Sequence, residues 1–138
     1  MYKKIMVPVD LLHIERLEKA LVTASDLSKL YGIPVCYVGV AAALPSLIAH
    51  NPDEFTLKME LFGKTQADKY DLKNVTTAAY ISHDPAVDLD NTLMKAAEDI
   101  GADLVVMASH VPGLVEHIFA SNAGYLASYA KVSVFVVR

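Results

Sequence analysis

Short apolar runs alternate with amphipathic stretches along the whole chain, and this alternation restricts the fold more than any other feature of the sequence. Short apolar runs are typical of strands covered on both faces, whereas apolar residues at intervals of three and four indicate helices. Five strands are predicted, at KKIMVPVD (3–10), IPVCYVGV (33–40), NVTTAAYIS (74–82), ADLVVMAS (102–109) and VSVFVVR (132–138).

Four helical stretches separate these strands, and three of their ends carry recognisable signals. The first helix is predicted to end at Gly32, the second to begin at 51–54 (NPDE) and the third at 84–85 (DP), where a capping side chain precedes a proline. The apolar positions that mark the inner faces of the first three helices are Leu17, Leu21, Ala24, Leu27, Tyr31, Phe55, Met59, Phe62, Leu89, Leu93, Ala97 and Ile100. Tyr125, Leu126 and Tyr129 are assigned to the last helix.

Strands and helices that alternate in this way form parallel sheets with right-handed crossovers. The sequence therefore predicts an α/β fold with a doubly wound, five-stranded parallel sheet in the order 3-2-1-4-5 and helices on both faces. The chain has 138 residues, of which 54% are hydrophobic, and this suffices for a sizeable core. We expect one domain over 1–138.

In that strand order the fifth strand is an open and strongly apolar edge. Because proteins avoid bare edges, we expect a homodimer formed through this strand. The alternative is that Lys131 and Arg138 are enough to protect the edge from pairing. The predicted interface residues are Val132, Val134, Phe135, Val136 and Val137.

Charge and cysteine content restrict the partners and the compartment. A net charge of -4 gives no basic surface for nucleic acid, although a small anion remains possible at a helix start. The single cysteine, Cys36, cannot form an intrachain disulfide, which fits a reducing cytoplasm. No apolar segment approaches the roughly 20 residues of a membrane span. We expect a cytoplasmic protein that does not insert into a membrane.

The predicted strand order places a ligand beyond the carboxyl ends of strands one and four, where the winding of the sheet reverses. Asp10 is suited to accept hydrogen bonds from a ribose hydroxyl or an exocyclic amine, or to cap a helix near Leu12, and the two roles are compatible. The residues that the two strands bring to this point are Pro8, Val9, Asp10, Met107, Ala108, Ser109 and His110.

Two further pairs of residues extend the predicted site. Val9 and Val40 end strands one and two, and they either line an apolar slot for a base or belong to the core. Ser121 and Asn122 stand where the last helix should begin, and the free amides of a helix start attract phosphate. Ser121 as a plain N-cap is the alternative.

Three segments carry a resemblance to a known family: KIMVPVD (4–10), VVMASHVPGLVEHIFASNAG (105–124) and VSVFVVR (132–138). They resemble the universal stress protein family, and most closely a branch whose strand four ends in Ala-Ser-His, one residue and a proline. The resemblance implies the same α/β architecture, dimerisation through the last strand, and ATP binding without strong hydrolysis. It implies that Pro8 and Asp10 contact adenosine, that Val40 lies beside the base, and that Ser121 belongs to the ATP-binding pattern.

The family's ATP pattern is Gly-x-x-Gly, nine residues, then Gly followed by Ser or Thr, and this chain departs from it. Its spacer has eight residues. Val111 is β-branched and precedes Pro112, so we expect a stiff loop with few amides for a phosphate. His110 is suited to donate to a phosphate instead, with Ser121 and the last helix holding the triphosphate. The three glycines are replaced by Ala108, Val111 and Ala120.

The expected function is that of an ATP-binding regulatory protein that acts on a protein partner through its loaded or empty state. Mg²⁺ would arrive with the phosphates rather than be held by a protein cage. We expect no enzyme, because no base is placed to activate water, although slow ATP hydrolysis stays open. The partner, whether a membrane transporter, a kinase or another stress protein, cannot be read from the sequence. The alternative is an interaction module of the same fold without a nucleotide.

The segment AAALPSLIAH (41–50) is unusually apolar for a loop. Leu44, Leu47 and Ile48 form a lid over the site, a docking patch, or a flap tucked onto the core. The tucked flap is expected, because exposed apolar patches are uncommon in soluble monomers. Burial of these three side chains distinguishes the alternatives.

Other classes of protein fit the sequence less well. A phosphotransfer receiver domain needs an acceptor Asp after strand three, where this chain has Ser82 and His83. A hydrolase would use Ser109, His110 and Asp10, but no Gly-x-Ser-x-Gly motif is present. The five histidines show no metal-ligand spacing, and no Walker loop or G-x-G-x-x-G follows a strand.

Overall fold

The computed structural model describes residues 1–45, 48–109 and 120–138, with the side chains of the last range described from residue 123 onwards. A single turn of 3-10 helix, Ile14–Leu17, precedes the first α-helix. The strands and helices are β1 (Ile5–Val9), α1 (Glu18–Tyr31), β2 (Val35–Ala42), α2 (Pro52–Tyr70), β3 (Val75–Ser82), α3 (Pro85–Ile100), β4 (Leu104–Ala108), α4 (Ala120–Tyr129) and β5 (Ser133–Val137).

The five strands form one parallel sheet in the order β3-β2-β1-β4-β5, as the sequence predicts. Successive residues of a strand point to opposite faces, and both faces are covered. Ile5 and Val7 pack in a core cluster with residues of α1 and α2, whereas Met6 packs with residues of α3 and α4. The doubly wound α/β fold is therefore confirmed.

The helix ends agree with the sequence signals at two places out of three. Gly32 ends α1 in the left-handed conformation with φ 64°, and Asn51 caps α2 by accepting the Glu54 N–H at 2.8 Å. Asp84 precedes Pro85 at the start of α3, but its side chain makes no capping hydrogen bond with a described residue. Its own backbone N–H donates instead to Ser82 Oγ at 3.2 Å. The predicted Asp84 cap is wrong in that respect.

Tyr31, predicted on the inner face of the first helix, is 40% exposed. Tyr31 and Tyr129 are each the last residue of a helix, and Tyr129 exposes 65% of its surface. Each packs on another tyrosine rather than on the sheet: the Tyr31 ring meets Tyr2 edge-on at 5.7 Å, and Tyr129 lies 4.7 Å from Tyr125 between ring centroids. Helical periodicity is a poor guide to burial at these helix ends.

Most of the apolar side chains at the β5 edge pack onto the core. Val134 and Val136 pack partly against the cluster beneath α3 and α4, as does Val132 just before the strand. Val137 is buried on the other face, and Phe135 is 46% exposed. A dimer through this strand stays a prediction. No described helix has the length and apolar character needed to cross a membrane.

Candidate functional site

Pro8 limits the pairing of β1 with β4. The Lys4 carbonyl accepts the Leu104 N–H at 3.3 Å, so the backbone of Lys4 faces β4, and alternation turns Met6 and Pro8 the same way. Proline has no N–H, so pairing with β4 cannot continue through Pro8. The β1–β4 register accordingly contains only Ile5 and Met6 of β1. The hydrogen-bonded pairing of β1 with β4 therefore ends early, at the point where the winding of the sheet reverses.

Strand β2 continues past the end of β1. The β1–β2 register ends at Val9 opposite Gly39, whereas β2 pairs with β3 as far as Ala42. The Pro34 carbonyl accepts the Ile5 N–H at 3.0 Å, which shows that even-numbered residues of β2 face β1. The Val40 carbonyl and the Ala42 N–H therefore point to the β1 side with no residue of β1 opposite them. They form an acceptor and a donor side by side.

A cavity of about 220 Å³ lies at these strand ends. Its walls come from the ends of β1 and β2, the segment before α2, and the first turns of α2 and α3. Among the described residues that line it, Asp10 is the only one with an ionisable side chain. The lining residues are Val9, Asp10, Leu11, Leu12, Val38, Val40, Ala41, Ala42, Ile48, Phe55, Pro85, Leu89 and Leu93.

The carboxylate of Asp10 is held by two donors. Its Oδ1 accepts the Leu12 N–H at 3.0 Å, and its Oδ2 lies 2.8 Å from His13 Nδ1. The Asp10 carbonyl also accepts the His13 N–H at 3.0 Å, which closes a turn before the helix Ile14–Leu17. Asp10 thus closes a turn, but the N-cap of the helix that follows is His13, so the prediction that Asp10 caps a helix near Leu12 is wrong. The carboxylate of Asp10 nevertheless lies at the cavity wall. Its contact with a ligand stays a prediction.

The residues predicted from strand four are not on this cavity wall. Met107 is buried in the core, and Pro8, Ala108 and Ser109 do not line the cavity either. The Ser109 N–H donates to the Val137 carbonyl at 2.7 Å and is therefore engaged with β5. Of the strand-one and strand-two predictions, the structure brings together Val9, Asp10 and Val40.

The predicted phosphate-binding residues fall largely outside the described part of the chain. His110 and Val111 lie in the range 110–119, outside the described residues. Helix α4 begins at Ala120, so Ser121 and Asn122 stand in its first turn, although their side chains are not described. The role of these residues toward a phosphate stays a prediction.

The segment after β2 is only partly tucked onto the core. Ile48 packs against the cluster that contains Phe55 and lines the cavity, whereas Leu44 is 78% exposed. Leu47 lies outside the described residues. The prediction of a tucked flap is confirmed for Ile48, which packs on the core, and wrong for Leu44, which is exposed to solvent.

Two hydrogen bonds join this segment to α2. The His50 N–H donates to Glu54 Oε2 at 2.9 Å, and Lys58 Nζ donates to the Ile48 carbonyl. The hydrogen bond from His50 is the main reason why the pKa of Glu54 lies below its usual range. The wall formed by Ile48 is therefore attached to a helix and not to a free loop.

Sequence reasoning missed two features that shape the site. Phe55, Leu89 and Leu93 were predicted as core residues, but they also line the cavity, because their helices reach past the strand ends. The pairing of His13 with Asp10 was also missed. An Asp followed by a His three residues later is a readable local signal, since such a spacing closes a turn.

Comparison with known proteins identifies the family. The model described as the universal stress protein family matches residues 1–138. The chain belongs to the universal stress protein family. Among its relatives, universal stress protein G of Salmonella typhimurium is 25% identical over 146 residues, with all of both chains covered.

Solved structures of universal stress proteins share the fold. A universal stress protein from Archaeoglobus fulgidus superimposes with a TM-score of 0.70 at 20% identity, covering 100% of both chains. The complex of an Archaeoglobus fulgidus universal stress protein with dAMP has a TM-score of 0.68 at 18% identity and covers 99% of this chain and 98% of that one. At such identities these similarities establish the architecture of this universal stress protein and not its ligand.

Proposed function

We propose that this universal stress protein binds an adenine nucleotide, ATP with its Mg²⁺, at the carboxyl ends of β1 and β2. It acts as a regulatory protein whose loaded or empty state is recognised by a protein partner. The proposal assigns no catalytic step to the chain. It includes a homodimer formed through β5.

One observation carries the proposal: β2 directs toward an apolar cavity a backbone acceptor and a donor that have no partner among the described residues. Adenine carries an exocyclic amine beside the ring nitrogen N1, that is, a donor beside an acceptor. The Val40 carbonyl suits the amine, and the Ala42 N–H suits N1. Both backbone groups lie on the same side of the strand because they are two residues apart.

The walls and the volume fit a base. A cavity of about 220 Å³ lined mainly by aliphatic side chains, with a few fixed polar groups, is the usual form of a small-molecule site. Phe55 and Leu89 reach it from opposite faces of the sheet, so a flat ring is enclosed from both sides. Asp10 then accepts hydrogen bonds from the ribose.

The phosphates are assigned to the start of α4. Its first backbone N–H groups are without helical partners and attract anions, which compensates for the loss of the three glycines of the family pattern. The dAMP complex of the Archaeoglobus fulgidus relative supports an adenine nucleotide on this fold. The residues proposed for ligand contact beyond the cavity are Pro8, Met107, Ala108, Ser109, His110, Val111, Ala120, Ser121 and Asn122.

The alternative function, an interaction module without a nucleotide, has one specific observation in its favour. Leu44, in the segment that follows β2, exposes most of its side chain, as an apolar docking residue would. A single exposed leucine is common on protein surfaces, however, so the backbone pair in the cavity outweighs it.

Calorimetric titration with ATP, GTP and AMP in the presence of Mg²⁺ tests the proposal. We expect micromolar binding of ATP and weaker binding of GTP, whose base presents its donors and acceptors in a different order. Replacing Ala42 with proline removes the N–H that the proposal uses, and A42P should weaken ATP binding at least tenfold. The matched variant A42S keeps this N–H and should bind normally. ATP affinity that is equal in A42P and A42S would refute the assignment.

A further inference from the structure

His13 and Asp10 form a close and partly buried pair at the edge of the cavity. His13 Nδ1 lies 2.8 Å from Asp10 Oδ2, and the two side chains expose 21% and 16% of their surface. An ionised carboxylate only accepts hydrogen bonds, so Nδ1 must carry a proton. The contact is therefore an N–H donation from His13 to Asp10.

This donation fixes the plane of the carboxylate. With Leu12 N–H on Oδ1 and His13 Nδ1 on Oδ2, each oxygen has one donor from the described part of the chain. Without His13 the carboxylate would keep a single anchor and could rotate about its Cβ–Cγ bond. Each oxygen of an ionised carboxylate accepts about two hydrogen bonds, so one direction on each remains for a ligand.

His13 is joined to Asp10 by two hydrogen bonds, one from its backbone and one from its ring. The backbone N–H of His13 donates to the Asp10 carbonyl at 3.0 Å, while its ring donates to the Asp10 side chain. Residues 10–13 therefore form a turn that keeps the His13 ring next to the Asp10 carboxylate. Such a turn holds an acceptor in one orientation before a ligand arrives, which lowers the entropy lost on binding.

We infer that His13 is a positioning residue that fixes Asp10 to accept the two adjacent hydroxyl groups of a ribose. The inference rests on the proposed function, because it takes the nucleotide site as given and assigns its sugar specificity. Two adjacent hydroxyls supply two donors, and the fixed carboxylate supplies two acceptor directions with matching separation. His13 acts through Asp10 and is not assigned a contact with the ligand.

The test uses two variants of His13 and two nucleotides. H13N keeps a donor, because the amide nitrogen of asparagine stands at the same position along the side chain as Nδ1. H13L removes the donor and keeps an aliphatic side chain of similar length. The dissociation constants of ATP and of 2′,3′-dideoxyATP, which lacks both hydroxyls, are measured for each protein by calorimetry. Thermal unfolding of each variant establishes that it is folded at the temperature of the titration.

The wild type and H13N should prefer ATP over 2′,3′-dideoxyATP by about tenfold, the effect of losing hydrogen bonds to a charged acceptor. H13L should lose most of this preference while binding 2′,3′-dideoxyATP as the wild type does. In a D10A background, H13L should have no further effect on the ratio, because the two residues act as one unit.

Three outcomes would overturn the inference in distinguishable ways. An H13L protein that keeps the wild-type ratio refutes the positioning role alone. An H13L protein that loses affinity for both nucleotides equally shows a purely structural role for His13. A wild-type protein that binds neither nucleotide refutes the proposed function and the inference together.

Discussion

Gly39 of β2 packs directly against Met59 of α2, so closely that a Cβ on Gly39 would lie 2.5 Å from Met59 Sδ and 2.8 Å from Phe55 Cζ. The missing side chain thus lets α2 approach the sheet and brings Phe55 to the cavity wall. The end of β2 and the start of α2 are fitted to one another at this glycine.

Replacing Gly39 with alanine should destabilise the protein. The methyl group must displace Met59 and Phe55, and overpacking of this kind costs about 1–3 kcal/mol. Thermal or urea unfolding measures the loss. Gly124 in α4 is the control, because a Cβ there would meet nothing within 4 Å, and G124A should be neutral or slightly stabilising. Equal stability of G39A and the wild type would contradict the close packing.

Asp103 should stabilise the fold at neutral pH and lose this effect in acid. Its partial burial acts to raise its pKa, but hydrogen bonds from the Lys3 and Lys4 backbone N–H groups at 3.0 and 3.1 Å outweigh this, so the pKa lies below its usual value of 3.8. A group whose pKa is lower in the folded state stabilises above its unfolded pKa, and its contribution disappears as pH falls through the folded pKa.

The D103N variant tests this dependence. Urea unfolding at pH 7 should show D103N to be less stable than the wild type, and the difference should shrink steadily below about pH 4. A difference that is unchanged between pH 7 and pH 3 would show that the charge of Asp103 is irrelevant. E98Q, which alters an exposed carboxylate on the last turn of α3, provides the comparison for a general effect of charge.

Cys36 should be unreactive in the folded protein. Burial is the main cause that raises the pKa of this thiol, and the side chain is 2% exposed in the core beneath α3 and α4. The thiolate is the reactive form, so both effects slow modification. A chromogenic disulfide reagent should label one thiol per chain in denaturant and react very slowly without it. Rapid labelling of the folded protein would contradict the burial of Cys36.

The predicted homodimer can be tested at the open edge of β5. The Ser133 N–H donates to the Asp103 carbonyl on the β4 side, so alternation points the backbone of Val134 away from β4. V134P removes an edge donor and leaves the β4 ladder intact, and it should convert a dimer into a monomer. Sedimentation velocity measures the mass, with V134T as the control that keeps the N–H. A dimer that persists in V134P would place the interface elsewhere.

Much of the fold could be predicted because the sequence signals for its strands and helix ends depend on neighbouring residues. Short apolar runs, the stop at Gly32 and the cap at Asn51 each depend on neighbouring residues, and right-handed crossovers then leave few strand orders. The exposed Tyr31 was not predictable in this way, because its burial depends on what the end of a helix meets in space.

The candidate site was predicted less completely than the fold. Asp10 and Val40 could be placed at strand ends from the order of the sheet alone. The cavity also needs Phe55 and Leu89, which reach it from two helices, and it needs β2 to extend past β1. Such differences in strand length and helix reach arise from packing between distant segments and leave no periodic signal in the sequence.

The most direct test of the nucleotide site is a titration of ¹⁵N-labelled protein with ATP and Mg²⁺, followed by two-dimensional NMR of the backbone amides. Binding in the cavity predicts that the largest shifts occur at the amides of Asp10, Val40 and Ala42, saturating at micromolar to low millimolar ATP. The chemical shifts of the β3 amides that face away from β2 should not change. Spectra that do not change at millimolar ATP, or that change only at residues distant from these strand ends, would contradict the account.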